Sequence, residues 1–130
     1  MDWVNKHLQI VPINTFIDPI FPVENAIITH AHADHAKPGH NNVLATKHTI
    51  EIMKIRYGEN CANNFQELSF NSPLNVNGVK VTFFPAGHIL GSAQVLLEYR
   101  KDKINFTGDF KITKDDTCEN FKPVTFDTLV

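Results

Sequence analysis

Hydrophobic and polar residues alternate along most of the chain, the pattern of strands that bury one face. Apolar residues at helical spacing predict instead a helix over Lys47–Tyr57, with Thr46 or Thr49 to cap its start and Gly58 to end it. Asn77-Gly78 predicts a tight hairpin turn. The predicted strands cover Gln9–Val11, Asn14–Ile17, Ala26–Thr29, Val43–Ala45, Glu67–Phe70, Leu74–Val76, Val79–Phe84, Ala93–Tyr99, Lys103–Thr107 and Phe126–Val130.

Length and charge limit the function classes. A chain of 130 residues suits one domain with a sizeable core. The formal net charge is −2 and no run of basic residues occurs, so the surface does not favour broad nucleic-acid binding. If the protein acts on nucleic acid, we expect a metal and a few local groups to hold the phosphate.

Cysteine usage and targeting signals add little. Cys61 and Cys118 are far apart and match no zinc-binding spacing, so two reduced thiols are expected. No signal peptide opens the sequence, and no apolar run approaches the length that a membrane span needs. We predict a cytoplasmic protein that does not bind a membrane.

The candidate chemistry begins where the apolar strand over Ala26–Thr29 ends. His30, His32, Asp34 and His35 follow it within six residues. On an extended backbone residues i and i+2 point to the same side, so His30 and His32 can share one ion. A short second helix after Asp34 would turn Asp34 and His35 toward a second ion. Imidazole and carboxylate ligands suit zinc best, with manganese or iron as alternatives.

Two later strand ends supply matching ligands beside glycines. His88 follows Gly87 and would complete three histidines on the first ion, while Asp109 follows Gly108 and could bridge both ions. Asp18 ends an earlier strand and could accept hydrogen bonds from a ligand histidine or from the backbone. Taken singly, each of these three residues is as well explained by an ordinary turn. The other histidines, His7, His40 and His48, lack supporting context and are not expected to bind metal.

The pattern His-x-His-x-Asp-His, with the later histidine and aspartate, resembles the successive metal motifs of the metallo-β-lactamase superfamily. The segment 86–93, Ala-Gly-His-Ile-Leu-Gly-Ser-Ala, is similar to a motif of its nucleic-acid-processing branch, called β-CASP. Thr-Gly-Asp-Phe at 107–110 and Ile-Asp-Pro at 17–19 resemble two further motifs of that branch. The stretch 28–40 and Asp-Thr-Cys at 116–118 are similar to bacterial DNA ligase-associated exonucleases, a group related to the endonuclease of messenger-RNA 3′-end processing.

This resemblance implies an α+β fold, the αββα sandwich of the superfamily, of which residues 1–130 form the N-terminal part. It implies two zinc ions, with manganese possible, and hydrolysis of DNA or RNA in DNA repair or RNA processing. Asp34 would act both as a metal ligand and as the general base. A DNA ligase is the protein partner that the resemblance implies. The cap domain and later histidines of the family would lie beyond Val130.

Two alternatives stay open. The same scaffold supports thioesterases and β-lactamases, although the Gly-Ser-Ala sequence after His88 favours the nuclease branch. The chain could instead be a fragment that binds metal but is catalytically incomplete. The residues leave open DNA against RNA, and exonuclease against endonuclease action.

Overall fold

Two five-stranded sheets organise the protein in a computed structural model that describes residues 3–32, 36–86, 91–106 and 128–129. Sheet A has the spatial order β1-β2-β3-β4-β5, and sheet B has the order β10-β9-β8-β7-β6. The strands are β1 (Gln9–Ile10), β2 (Thr15–Ile17), β3 (Asn25–Ile27), β4 (Asn42–Ala45), β5 (Asn64–Glu67), β6 (Leu74–Val76), β7 (Val79–Pro85), β8 (Ala93–Tyr99), β9 (Asp102–Phe106) and β10 (Thr128–Leu129).

Strand direction differs between the two sheets. In sheet A, β1 is antiparallel to β2, and β2 to β5 run parallel. In sheet B, β6 to β9 are antiparallel neighbours and β10 runs parallel to β9. Parallel strands direct their carboxyl ends to one edge, where ligands bind in many α/β proteins. The segment after β3 therefore emerges at such an edge of sheet A.

Two apolar clusters hold the layers together. The first lies between the sheets and joins Ile27 of sheet A to residues of sheet B such as Val81 and Phe83. The second joins the opposite face of sheet A to the helix, through contacts that include Val43 and Met53. Because β3 and β4 are covered on both faces, their sequences are apolar rather than strictly alternating.

The predicted helix and hairpin are confirmed. Helix α1 spans Lys47–Tyr57, Thr46 accepts a hydrogen bond from the backbone N–H of Thr49, and the Gly58 N–H donates to Lys54. The predicted turn joins β6 to β7, with Asn77 and Gly78 both at positive φ, as a tight hairpin requires. Val11, predicted to be in a strand, instead starts a short 3-10 helix that contains Pro12.

One strand prediction was wrong. The strand placed over Glu67–Phe70 lies instead at Asn64–Glu67. Its first residue, Asn64, takes part in an amide ladder across neighbouring strands: Asn64 donates to Asn42, and Asn42 donates to Asn25, each at 2.9 Å. Side-chain amides satisfy one another along this ladder, so the strand does not need the apolar alternation on which the prediction rested.

The layers confirm the predicted fold class. One α-helix, sheet A and sheet B stack in that order, which corresponds to three layers of an αββα sandwich. Among the residues that the structure describes, no helix is long and apolar enough to cross a membrane. A second helix after Asp34 would begin at residues outside the described ranges.

Candidate metal centre

His30 and His32 lie together just beyond the carboxyl end of β3. Their ring centroids are 5.0 Å apart and the ring planes are inclined at 75°. His30 is only 1% exposed, whereas His32 is exposed. The pair therefore extends from the protein interior to the surface, as a site needs if it is to hold an ion rigidly and also admit a substrate.

A chain of hydrogen bonds fixes His30. The Asp18 carboxylate accepts from the backbone N–H of Thr29 at 2.8 Å and from the Thr29 hydroxyl at 2.6 Å. The same hydroxyl oxygen lies 2.9 Å from Nδ1 of His30. Because the hydroxyl proton goes to Asp18, Nδ1 of His30 must be the donor in this contact. The proton on Nδ1 leaves Nε2 as the nitrogen with a lone pair, the tautomer that binds a metal through Nε2.

The backbone at Asp18 is itself unusual. Its φ is 47°, in the left-handed region, and its N–H donates to the Ile27 carbonyl at 2.9 Å. Aspartate tolerates this conformation better than most residues, although it still costs free energy. The strained turn directs the Asp18 carboxylate at Thr29, and positions of this kind are common at functional sites.

The carboxyl ends of three strands meet at this place. Pro85, at the end of β7, pairs with Ala93, and Phe106, at the end of β9, pairs with Val95 two residues further along β8. The Ala93 N–H donates to the Thr29 carbonyl at 2.8 Å. The segments that follow β3, β7 and β9 therefore leave from one region between the sheets.

Four predicted ligands lie outside the described residues: Asp34, His35, His88 and Asp109. Their metal-binding roles, and that of Asp34 in catalysis, stay predictions. Within the described ranges, no group of three His, Cys, Asp or Glu residues is arranged to hold a metal. The structure thus brings together His30 and His32, and places Asp18 behind them through Thr29.

The start of α1 is tied to the segment that precedes β8. The Gly91 carbonyl accepts hydrogen bonds from the hydroxyls of Thr46 at 2.7 Å and Thr49 at 3.4 Å. Gly91 has a φ of 82°, and a Cβ built on it would lie 2.7 Å from Cβ of His48. Only glycine fits this close approach, which ties Gly91 to the start of α1.

The remaining histidines and cysteine have other surroundings. His40 is buried, its Nδ1 accepts from the Val23 N–H at 3.2 Å, and desolvation lowers its pKa. His48 lies 4.0 Å from Glu51, one turn along the helix. Burial is the largest influence on Cys61 and raises the pKa of its thiol. This thiol is free, while Cys118 is outside the described ranges.

Arg56 is a site neighbour that the sequence analysis missed. Its guanidinium Nη1 donates to the carbonyl of Ala31, between the two histidines. The contact spans 25 residues of sequence. The sequence does place an arginine on the predicted helix. The residue that its side chain reaches depends on how the helix packs, which the sequence does not show.

A separate cavity of the described chain lies away from the histidines. It has a volume of about 520 Å³ between the sheets and is lined by the amides of Asn25, Asn42 and Asn64 together with apolar side chains. These residues begin their strands, whereas His30 follows the end of β3. The cavity is therefore separate from the histidine pair.

Comparison with known proteins gives several relatives and no matching family model. A probable DNA ligase from Opitutus terrae is 31% identical over 113 residues, covering 86% of this chain and 11% of that protein. Endoribonuclease YSH1 from Yarrowia lipolytica is 40% identical over 53 residues, covering 41% of this chain and 6% of that protein. The cleavage and polyadenylation specificity factor subunit 3 of Dictyostelium discoideum is 40% identical over 50 residues, covering 38% of this chain and 6% of the relative.

The chain thus spans only a small part of the length of the relatives it matches. Among solved structures, a protein of unknown function from Enterococcus faecalis V583 has a similar fold, with a TM-score of 0.55 and 19% identity. That match covers 73% of this chain and 26% of the other. The motifs, the two-sheet fold and these relatives agree: the chain belongs to the metallo-β-lactamase superfamily, in its β-CASP branch.

Proposed function

We propose that this chain forms the metal-binding part of a hydrolase that cleaves phosphodiester bonds in DNA or RNA, in the manner of an exonuclease. The observation that carries the proposal is the hydrogen-bonded chain from Asp18 through Thr29 to His30, which selects a tautomer suited to metal binding. Membership of the β-CASP branch supports nucleic acid as the substrate.

The donor set fits zinc, with manganese as a substitute. His30, His32 and His88 would hold one ion, Asp34 and His35 would hold the second, and Asp109 would be shared. When bound, the ions supply Lewis-acid chemistry, by lowering the pKa of a water molecule and by neutralising charge on the phosphate.

The chain's own residues would then orient and move protons. The contact with Thr29 keeps the proton of His30 on Nδ1 and so holds the ring orientation. Asp34 would take the proton of the attacking water, as a positioned carboxylate can. The new P–O bond forms as the bond to the leaving oxygen breaks, and charge passes to that oxygen.

The test measures zinc content and strand cleavage together. Purified chain is loaded with zinc, its stoichiometry is determined by elemental analysis, and it is incubated with end-labelled single-stranded DNA and RNA. His32→Ala should lose zinc and cleavage. His7→Ala, at an exposed turn before β1, should lose neither and is the matched control. His88→Ala is expected to lower the zinc content as well.

Other substrates decide between the alternatives. A thioester and a β-lactam are assayed beside the nucleic acids. Turnover of either one without strand cleavage would favour a different hydrolase on this scaffold. Zinc binding without turnover of any substrate would favour a catalytically incomplete fragment.

A DNA ligase is the partner we propose, because one relative is named a probable DNA ligase. Co-purification of the chain with the DNA ligase of its own source cell would support the partner. A ligase that binds equally well to the chain and to an unrelated acidic protein would contradict it.

A further inference from the structure

Arg56 lies in the last turn of α1 and reaches the segment that carries the histidines. Its Nη1 donates to the carbonyl oxygen of Ala31, the residue between His30 and His32. The arginine side chain is exposed. A guanidinium has five N–H donors, and one bond to Ala31 leaves most of them available to a ligand.

The ion pairs among the residues that the structure describes do not include Arg56. The ion pairs of the described chain join Glu98 to Lys80 and Lys103, and Glu51 to His48. No described carboxylate pairs with Arg56. In a chain with a formal net charge of −2, a guanidinium beside the histidine pair that pairs with no described carboxylate is a local attraction for an anion.

The guanidinium is also held in position. The bond to Ala31 fixes one side, and the Tyr57 ring lies 5.8 Å from Cζ, within reach of a cation–π contact. A planar guanidinium that is already ordered loses less entropy when it binds a phosphate. Arginine also matches the geometry of phosphate oxygens through paired N–H bonds.

We propose that Arg56 binds a phosphate of the nucleic-acid strand next to the phosphate that is hydrolysed at the metal centre. This inference rests on the proposed function and assigns it a substrate-binding residue. It also gives an acidic chain one local positive group for a polyanion, because Arg56 lies beside the histidine pair.

The competing explanation is structural. Arg56 could serve only to anchor the backbone between the two histidines, in which case its loss would disturb the metal ligands. The two roles differ in what they change: a phosphate contact alters affinity for the strand, whereas an anchor alters affinity for zinc.

The experiment measures binding of a fluorescent single-stranded oligothymidylate to zinc-loaded chain by anisotropy, at several salt concentrations. Arg56→Ala should weaken binding roughly 10-fold to 100-fold, the loss expected for hydrogen bonds to a charged group. The slope of log affinity against log salt should fall by about 0.7, the value for one phosphate of a single strand. Zinc affinity, measured by chelator competition, should not change.

Arg100→Ala is the matched control. Arg100 is the only other arginine, it is exposed, and it lies 5.0 Å from the ring of Tyr99 in the turn between β8 and β9. Its replacement should leave oligonucleotide affinity unchanged. Arg56→Gln keeps a polar side chain with an N–H donor but removes the charge, so it should weaken binding like Arg56→Ala even if the alanine variant folds poorly.

An uncharged linkage in the oligonucleotide identifies which phosphate Arg56 contacts. A set of oligonucleotides carries one uncharged methylphosphonate linkage, placed at a different position in each. At one position the linkage should lower the affinity of wild type and leave the affinity of Arg56→Gln unchanged. Equal affinity of wild type and Arg56→Gln for the unmodified strand would overturn the proposal, as would a parallel loss of zinc. Binding that follows these expectations without any strand cleavage would contradict the proposed function and leave Arg56 as a phosphate contact. Wild type that binds no strand at all would contradict both.

Discussion

The Asp18 carboxylate accepts two hydrogen bonds from Thr29, one from its backbone N–H at 2.8 Å and one from its hydroxyl at 2.6 Å. The first bond fixes the backbone immediately before His30, and the second fixes the direction of the hydroxyl proton. Together they determine which nitrogen of His30 carries hydrogen. Asp18 thus sets, through Thr29, the tautomer of a histidine twelve positions later.

Replacing Asp18 by asparagine should weaken zinc binding. Asparagine tolerates the left-handed backbone at this position, so the turn should persist. Its amide has one acceptor oxygen and no charge, and it cannot accept both bonds from Thr29 equally well. We expect zinc affinity to fall by about 10-fold to 100-fold, measured by competition with a chelator.

Asp102→Asn is the control for this change. The Asp102 carboxylate accepts from the Trp3 indole N–H at 3.1 Å, at the start of β9 and away from the histidines. That variant should keep the zinc affinity of wild type. Equal zinc affinity for Asp18→Asn and wild type would show that the carboxylate does not support the metal centre.

Thr29→Val tests the tautomer of His30 directly. Valine keeps the shape and the backbone N–H but removes the hydroxyl that receives the Nδ1 proton. The proportion of His30 protonated on Nε2 should rise in the metal-free protein, and zinc affinity should fall. Nitrogen-15 NMR of the imidazole measures the first effect. Thr29→Ser retains a hydroxyl and should resemble wild type; a tautomer ratio that is the same in all three proteins would contradict the assignment.

The sequence predicted elements whose signals are local. Helix α1 has a capping threonine and a terminal glycine, and the β6–β7 turn has two residues suited to positive φ, so both were placed correctly. The error at β5 has a physical cause. Asn64 is satisfied by Asn42 on a neighbouring strand, and pairing between distant amides leaves no apolar pattern to detect.

At the site, too, contacts between residues close in sequence were predictable, and contacts between residues far apart in sequence were not. The spacing of His30 and His32 was enough to predict two rings close together. The sequence also marked Asp18 as a possible support, but could not identify Thr29 as its partner, because that contact depends on how β2 and β3 pair. Arg56 was missed for the same reason, since its partner Ala31 is 25 residues away.

Gly91→Ala should destabilise the protein more than Gly58→Ala. Both glycines have positive φ, 82° and 94°, so alanine is strained at either position. At Gly58 nothing lies within 4 Å of the added Cβ, whereas at Gly91 it would approach His48 Cβ to 2.7 Å. We expect a cost of about 1–3 kcal/mol from the strained φ at both sites, with a further cost of overpacking at Gly91. Urea denaturation measures the difference, and equal losses would show that the backbone at Gly91 moves freely.

His40 should make the stability of the protein depend on pH. Burial lowers its folded pKa from the ordinary value of 6.5, so the unfolded chain binds the proton more readily. As the pH falls below 6.5 toward the folded pKa, the unfolded state gains protons that the folded state does not, and stability is lost. Above that window His40 has no effect on how the free energy of unfolding changes with pH.

His40→Gln isolates this contribution, because glutamine does not titrate and can still offer an acceptor to the Val23 N–H. The free energy of unfolding is measured by urea denaturation at pH 7.5 and at pH 5.5 (about one unit either side of the ordinary histidine pKa). Wild type should lose more stability over this interval than the variant, even if the variant is less stable at both pH values. The carboxylates titrate in both proteins, so their effect cancels in the comparison. Equal losses would mean that His40 takes up a proton as readily in the folded protein as in the unfolded chain, against the burial of its ring at 1% exposure.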